Sequence, residues 1–319
     1  MNSQIQQDEA VSADRCINSL FEIFGYFAQS EANEFTMLPS PEQILSLSSI
    51  EKLKGAYPAS PAVLSHGLAD HPLLAINTLA KAALRMTPHH VERRQAHTAN
   101  GEGFPHAAQS DVPIDQVILD IAASGSWVML RFIEQLPEYR DLLNAIMAEL
   151  GPVIGPATGP GDSIKGFVFI SAPGTLTPLH FDAEYNILLH ILGDKEFATY
   201  PPRPPYLLAA HEEAYHLTGE SLLPVNESFA SAELVHRLEP GHALYVPYAS
   251  PHWVKAGMQP CISLSITWQS KWSRRNADAL LLNHGLRQKG IALSHPPAWP
   301  ASSIWRSLAY RSGRKLGLL

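Results

Sequence analysis

Cysteine is scarce in this chain: of its 319 residues, only Cys16 and Cys261 are cysteines. Two thiols are too few for a disulfide framework or for a zinc site built from thiolates. No apolar run approaches the roughly 18 residues that a membrane-spanning helix needs. The first residues also lack the basic-then-apolar order of a secretory signal. We therefore expect a soluble protein of a reducing compartment, the cytoplasm, with no membrane partner.

Positive charge is also in deficit, because 23 basic residues stand against 30 acidic residues and give a net charge of −7. This balance argues against a nucleic-acid partner bound by bulk electrostatics. The exception is the stretch from Arg274 to the end, which has eight basic residues and one acid, Asp278. A basic helical tail either contacts an anionic surface or is a solvated helix face, and the sequence leaves both open.

The first part of the chain, residues 1–124, is predicted to be an N-terminal region of helices and loops. Apolar residues at helical spacing predict helices over 17–24, 70–85 and 113–123. A polar stretch punctuated by glycine and proline, 87–112, is predicted to be a long surface loop.

Residues 125–270 are predicted to form the core domain, because short runs of β-forming residues alternate there with turn residues. A helix over 136–150, ending just before Gly151, interrupts this pattern. The predicted strands are 126–132, 166–171, 186–192, 196–200, 243–246, 252–255 and 261–268. Such spacing favours an antiparallel sandwich or barrel. Residues 202–236 are predicted to be an insertion, and residues 271–319 a helical tail.

The last predicted strand alternates large apolar residues with small hydroxyl residues, Ser263, Ser265 and Thr267. Alternate side chains of a strand point to opposite faces, so the large set is expected to pack in a core. The hydroxyl set faces either solvent or a cavity that has to stay open. Periodicity alone does not separate these two alternatives.

The motif with the clearest chemistry is Thr177-Pro-Leu-His-Phe-Asp182, with His252 following 70 residues after the aspartate. On a strand, His180 and Asp182 project to the same face, and His252 from another strand can complete a three-point cap. Two imidazoles and one carboxylate form the facial triad of non-haem Fe(II) oxygenases, which leaves three metal positions open. With fifteen histidines in the chain a chance His-x-Asp is common, so the spacing to His252 matters.

Lys195 begins the strand that follows the Gly193-Asp194 turn, 13 residues after Asp182. A lysine that points into a barrel can pair with a dicarboxylate, whereas a surface lysine needs no such company.

These motifs carry a resemblance over residues from about 164 to 270. This segment resembles the JmjC-type, cupin-like 2-oxoglutarate and Fe(II)-dependent oxygenases, notably the branch with the asparaginyl hydroxylase that inhibits hypoxia-inducible factor, and bacterial cupin-like proteins. The family's Thr-Pro-x-His-x-Asp-x-x-x-Asn pattern, its Gly-x-Lys, its Pro-Pro and its later histidine recur in order. Here they fall on Thr177, Pro178, His180, Asp182, Asn186, Gly193, Lys195, Pro201, Pro202 and His252.

The resemblance implies a mainly β fold with helical flanks, a double-stranded β-helix of the jelly-roll or cupin-like kind. It implies that His180, Asp182 and His252 are the ligands of a catalytic Fe(II). It further implies that Lys195 and Thr177 bind the distal carboxylate of 2-oxoglutarate, the cosubstrate, and that Asn186 and Leu188 line its pocket. The residue that shapes the pocket from the last strand is Thr267, where the hydroxylase branch has an asparagine, so substrate chemistry is not inherited.

The implied activity is that of a dioxygenase that uses O2 to hydroxylate a C–H bond of a protein or a small molecule. Two alternatives stay open: a non-catalytic cupin-like regulator or scaffold that binds metal or a small acid, and a metal enzyme that uses no 2-oxoglutarate. The non-catalytic alternative is favoured if Lys195 points outward or if His190 and Tyr185 fill the cavity. His190 shares the parity of His180, so it either enters the cavity or is a core histidine with its own partners. Four leucines after Lys271 suggest a homodimer through the C-terminal helices, or else packing within one chain. They are Leu280, Leu281, Leu282 and Leu286.

Overall fold

Helices come before, between and after the strands along the chain. The computed structural model describes residues 43–95 and 111–317, so the predicted helix over 17–24 lies outside the described residues. The α-helices in these ranges are α1 (Leu47–Ala56), α2 (Ile76–Arg85), α3 (Ile114–Leu119), α4 (Ile121–Ser124), α5 (Pro137–Thr158), α6 (Ala209–Thr218), α7 (Lys271–Arg287) and α8 (Ile304–Lys315). Within the described ranges, none of the helices is both long enough and apolar enough to span a membrane.

Eleven strands are found in the described part of the chain. They are β1 (Ala62–Ser65), β2 (Val91–Gln95), β3 (Ser126–Arg131), β4 (Asp162–Ser171), β5 (Leu176–His180), β6 (Tyr185–Leu192), β7 (Lys195–Thr199), β8 (Leu234–Leu238), β9 (His242–Val246), β10 (His252–Ala256) and β11 (Cys261–Gln269).

The strands form two antiparallel sheets. The larger sheet has the order β1-β9-β6-β11-β4-β3-β2, and the smaller has the order β5-β10-β7-β8. Along the chain from β4 to β11, the strands pass repeatedly from one sheet to the other, which is the topology of a jelly roll. The predicted fold class, mainly β with helical flanks, is therefore confirmed.

The large sheet buries both of its faces. On the outer face of β11, Ile266 and Trp268 join the main core together with α5 residues such as Ile146. The close approach of α5 to β4 explains a glycine there, because a Cβ on Gly166 would lie 2.6 Å from Leu143 Cδ2. The inner face carries a second, smaller apolar cluster between the sheets: Leu188, Phe197, Leu238, Leu244 and Val246.

The N-terminal region contains more sheet than its sequence indicates. β1 pairs with β9, and β2 pairs with β3. The prediction that 87–112 is a surface loop is therefore wrong at its start, where β2 lies. Both strands are short and gain their hydrogen bonds from partners elsewhere in the fold, a contribution that local patterns do not report.

Helix α5 also differs from its prediction, because it continues past Gly151 to Thr158. Pro152 and Pro156 lie inside the helix, and buried Val153 and Ile154 hold its extra turns against the core. The glycine that ends the helix is Gly159, with a positive φ of 89°. The helix does end at a glycine, as predicted, but at Gly159 and not at Gly151.

Three basic residues of the C-terminal tail pair with acids of their own chain. Arg287 donates to both carboxylate oxygens of Glu213, at 2.5 and 2.9 Å. Arg311 contacts Asp278 at 2.7 Å, and Arg274 pairs with Asp162. Of the four leucines, Leu280 and Leu282 are buried in their own chain, whereas Leu281 and Leu286 are half-buried.

Candidate metal and cosubstrate site

The two histidines of the triad lie side by side on neighbouring strands. His180 is the last residue of β5 and His252 the first of β10, and the two are direct partners in the antiparallel ladder. Their ring centroids are 4.2 Å apart. The prediction from the sequence spacing, that two distant histidines meet on one face, matches this register.

Asp182 joins them from the turn after β5 rather than from the strand itself. Its carbonyl oxygen accepts a hydrogen bond from Ala249 N at 3.1 Å, which ties this turn to the one that precedes His252. Its Oδ2 lies 3.8 Å from His252 Nε2. Potential ligand atoms of His180, Asp182 and His252 all lie within 4.8 Å of one another. Distances of this size fit three donors that surround one ion.

Both imidazoles are oriented by backbone carbonyls. His180 Nδ1 lies 2.7 Å from the Pro178 oxygen, and His252 Nδ1 lies 2.9 Å from the Ser250 oxygen. Because a carbonyl only accepts, each Nδ1 carries the hydrogen and each Nε2 keeps its lone pair. This is the tautomer that a metal ligated through Nε2 requires, fixed by the kind of outer partner that metal-binding histidines usually have.

The surroundings of His252 favour its neutral form. The ring stacks on Phe197, with centroids 4.9 Å apart and planes inclined by 18°. Burial, and then the nearby His180, hold the pKa of His252 well below its usual value. A neutral imidazole is the form that ligates metal, so the donor set fits a divalent transition-metal ion.

A cavity of about 490 Å³ extends from the triad between the two sheets. Ser265 and Thr267 face it, and the third hydroxyl residue of β11, Ser263, is fully buried, so none of this set faces solvent. All the residues predicted to contact the cosubstrate also line it: Thr177, Asn186, Leu188, Lys195 and Thr267. The five residues that the sequence predicted as cosubstrate contacts therefore lie around the same cavity.

Lys195 is buried in this cavity. Its Nζ donates to Ser263 Oγ at 2.8 Å, and none of the ion pairs among the described residues involves it. Burial lowers the pKa of Lys195 to about 8. A buried ammonium without a carboxylate partner is costly, so the cavity favours an anionic ligand at this end.

Two neighbouring polar groups differ in how far they are satisfied. Asn186 Oδ1 accepts from Ser265 Oγ at 2.7 Å. Thr267 Oγ1, by contrast, is buried without a hydrogen-bond partner in the described part of the chain. A hydroxyl left unpaired inside a cavity is a natural contact for a polar ligand.

Neither His190 nor Tyr185 is among the residues that line the cavity. His190 is fully buried and bonds to Ser263 and to the Gly193 carbonyl, so it is the core histidine with its own partners. Tyr185 packs against Tyr57 and Trp268 in the core. Both conditions named for the non-catalytic alternative, an outward Lys195 and a filled cavity, are unmet.

The outer part of the cavity was not predicted. It is lined from β2, β3 and β4 by Trp127, Met129, Arg131, Phe167 and Phe169, together with the half-buried Glu92. Trp127, Met129 and Arg131 alternate with the buried Val128 and Leu130. The sequence predicted a strand here, but residues 127–130 are all apolar and do not show which face of β3 lines the cavity. That face depends on the pairing of β3 with β4.

Comparison with known proteins gives a limited but specific likeness. No family model matches the chain. A JmjC domain-containing protein D of Dictyostelium discoideum is 24% identical over 144 residues, which are 41% of this chain and 32% of that protein. The chain is similar to JmjC-type proteins. The resemblance inferred from the motifs is thus confirmed, although the chain spans only about a third of the length of this relative.

Solved structures of an Escherichia coli ribosomal oxygenase, YcfD, are also similar. One covers 86% of this chain and 68% of its own, at 16% identity and a TM-score of 0.49. A complex with cobalt and 2-oxoglutarate covers 87% and 68%, at 15% identity and a TM-score of 0.45. We assign the fold from the strand order of this chain itself and not from these similarities.

Proposed function

We propose that this protein is an Fe(II)- and 2-oxoglutarate-dependent oxygenase that hydroxylates a C–H bond. The observation that carries the proposal is the convergence of His180, Asp182 and His252 at one point of a cavity that also holds Lys195. A metal triad alone is compatible with many chemistries. A buried cation without an acidic partner in the same cavity adds a site for a dicarboxylate.

Each residue has a proposed role. His180, Asp182 and His252 hold the metal, and Lys195 with Thr177 binds the distal carboxylate of 2-oxoglutarate. Asn186, Leu188 and Thr267 shape the space around the cosubstrate. When bound, Fe(II) and 2-oxoglutarate together supply the oxidising power to hydroxylate a C–H bond with O2. Leu188, Lys195 and Thr267 are at most 5% exposed, so the inner part of this space is shielded from solvent, which limits unproductive turnover.

The substrate class is proposed to be a protein or a small molecule. A nucleic-acid substrate is disfavoured by the net charge of −7. The outer cavity offers aromatic walls, with Trp127 and Phe169 ring centroids 5.6 Å apart. Charged pairs stand beside them, such as Lys165 with Glu184 at 2.6 Å. Such a mixed wall suits an amphipathic group more than a phosphate backbone.

The domain organisation and the cellular location are also proposals. We propose a catalytic core at residues 125–270, with residues 1–124 and 271–319 as flanks and a cytoplasmic location. The N-terminal flank is not structurally separate from the core, because its strands β1 and β2 form the two edges of the large sheet. We call it a flank because none of the proposed metal or cosubstrate contacts lies in it.

A homodimer through the C-terminal helices is proposed on a different face from the one that the leucines suggested. Ile304, Trp305 and Leu308 of α8 are 49%, 59% and 62% exposed. Apolar side chains clustered on one helix face favour a partner surface. Trp305→Glu should convert a dimer to a monomer in sedimentation, and a wild-type protein that sediments as a monomer would refute this part.

The function is tested by anaerobic titration of the metal-loaded protein. Adding 2-oxoglutarate to the Fe(II) protein should produce the weak visible charge-transfer band of the iron chelate. Asp182→Ala should abolish the band through loss of metal, and Lys195→Ala should move it to much higher cosubstrate concentrations. A band that never appears, in protein shown to hold Fe(II), would favour a metal-binding protein that uses no 2-oxoglutarate. A band without oxygen-dependent succinate formation under any condition would favour the non-catalytic alternative.

A further inference from the structure

Three buried polar side chains form a hydrogen-bonded chain that begins at Lys195, a residue that lines the cavity. Lys195 Nζ donates to Ser263 Oγ at 2.8 Å, and Ser263 Oγ lies 3.0 Å from His190 Nδ1. His190 Nε2 lies 2.9 Å from the carbonyl oxygen of Gly193. Lys195 is 5% exposed, and the other two side chains are fully buried. The proposed function assigns no role to His190 or Ser263.

The register of the sheets explains how the chain forms. Ser263 of β11 and His190 of β6 are direct partners across the large sheet, so their side chains share its inner face. Lys195 begins β7 of the small sheet, which lies opposite. Its side chain therefore reaches across the interior to Ser263.

The direction of every hydrogen bond in the chain is determined. The Gly193 carbonyl only accepts, so His190 Nε2 carries the hydrogen and its Nδ1 is an acceptor. Ser263 must then donate its hydroxyl hydrogen to Nδ1. The remaining lone pairs of Ser263 Oγ are left to accept from the Lys195 ammonium. One fixed acceptor at Gly193 thus orients all three groups.

We propose that His190 and Ser263 are positioning residues for Lys195, holding its ammonium in one orientation with two of its three N–H donors free for a ligand carboxylate. This inference rests on the proposed function, because it assigns the ligand as the distal carboxylate of a dicarboxylic acid. It goes further in naming the residues that decide whether Lys195 is ready to bind.

The chain matters because the surroundings otherwise work against a charged Lys195. Burial is the main cause that lowers the pKa of Lys195, and the nearby Cys261 acts in the opposite direction. On the other side of the chain, His190 is faced by His66 and His242 as well as by Lys195. Burial, and then these neighbours, lower the pKa of His190 to about 3, so it stays neutral and remains an acceptor for Ser263.

A merely structural role for His190 makes a different prediction. If the ring only fills space, His190→Leu and His190→Gln should behave alike, because both fill a similar volume. If it orients Ser263, the glutamine should substitute, since its carboxamide offers an acceptor for Ser263 and a donor for Gly193. Ser126→Ala is a matched control: it removes a similarly buried hydroxyl from β3 of the same sheet. That hydroxyl bonds to Arg93 and to the Ser124 carbonyl and not to Lys195.

The test combines ligand binding with a direct titration of Lys195. Binding of 2-oxoglutarate and of succinate, which lacks the keto group, is measured by calorimetry on the metal-loaded protein. Ser263→Ala and His190→Leu should each weaken both ligands at least about tenfold. His190→Gln should restore most of the affinity, and Ser126→Ala should change neither ligand by more than about twofold.

The titration of Lys195 is followed by NMR of lysine-labelled protein without ligand, with the signal assigned by its absence in Lys195→Ala. Ser263→Ala should lower the pKa of Lys195 relative to wild type, because the charged form loses an acceptor. This measurement remains informative even if the wild-type protein binds no dicarboxylate. That outcome would contradict the proposed function but not the hydrogen-bonded chain. The inference itself is overturned if the pKa of Lys195 does not move in Ser263→Ala, or if the leucine and glutamine variants of His190 bind equally.

Discussion

His252 lies directly across the β5–β10 ladder from His180, and the two rings face one point from neighbouring strands. Each ring is held by a carbonyl two residues before it, so the pair has nearly the same local geometry twice. Asp182 adds the single negative charge at that point. The metal site therefore depends on one backbone register and one turn.

The charge of Asp182 is the first target for a test. Asp182→Asn keeps the shape but removes the negative charge, so the affinity for Fe(II) or Co(II) should fall at least about tenfold. Calorimetry under anaerobic conditions measures this directly. Glu196→Gln serves as control, because Glu196 is an acid of the small sheet that pairs with the exposed Arg237 at 3.5 Å. Equal metal affinity in Asp182→Asn and wild type would remove Asp182 from the ligand set.

Lys195 is expected to separate cosubstrate binding from metal binding. Lys195→Ala removes the buried ammonium, and the affinity for 2-oxoglutarate should fall well over tenfold, as expected for loss of a charge-assisted contact. Metal affinity should persist, since Lys195 is not among the residues of the triad. Metal titration followed by 2-oxoglutarate titration of the same sample gives both values. An unchanged affinity for 2-oxoglutarate would place the dicarboxylate elsewhere.

The binding of 2-oxoglutarate should depend on pH in one direction. Burial lowers the pKa of Lys195 to about 8, so the free protein loses this positive charge as the pH rises through that value. A dicarboxylate binds the charged form, and each further pH unit should then weaken binding by up to about tenfold. Calorimetry from pH 6.5 to 9.5 in two buffers of different ionisation enthalpy also counts the proton taken up. Affinity that is flat across this range would mean that Lys195 stays charged or takes no part.

Much of the site could be predicted because it is encoded locally. His180 and Asp182 are two residues apart at the end of β5, and Lys195 begins β7 after the single strand β6. The sequence distances among these three residues are short, so they are a useful guide to spatial distance there. His252 could be added because metal chemistry demands a third ligand. The Lys195–Ser263–His190 chain could not be predicted, since it depends on the register between β6 and β11, which no local pattern fixes.

The fold was predictable to a similar depth. Strands with strong alternation, such as β11, were found from the sequence. β8 was missed because its region showed no strong period and its pairing partner, β7, defines it. The predicted end of α5 was wrong because Gly151 is a residue type that often ends helices but does not have the left-handed conformation of a helix end. The positive φ occurs at Gly159. The local sequence indicates several possible ends for a helix, and packing against the core determines which of them is used.

This last difference yields a prediction about stability. Gly151 is an exposed position inside α5, and a Cβ added there meets nothing within 4 Å. Gly151→Ala should therefore stabilise the protein by about 0.5–1 kcal/mol, because alanine loses less backbone entropy in a helix. Gly159→Ala should do the opposite, since its φ of 89° is strained for any residue with a side chain. Urea unfolding of the two variants and wild type decides between the two helix ends. Destabilisation at position 151 with none at 159 would mean that the helix ends at Gly151 after all.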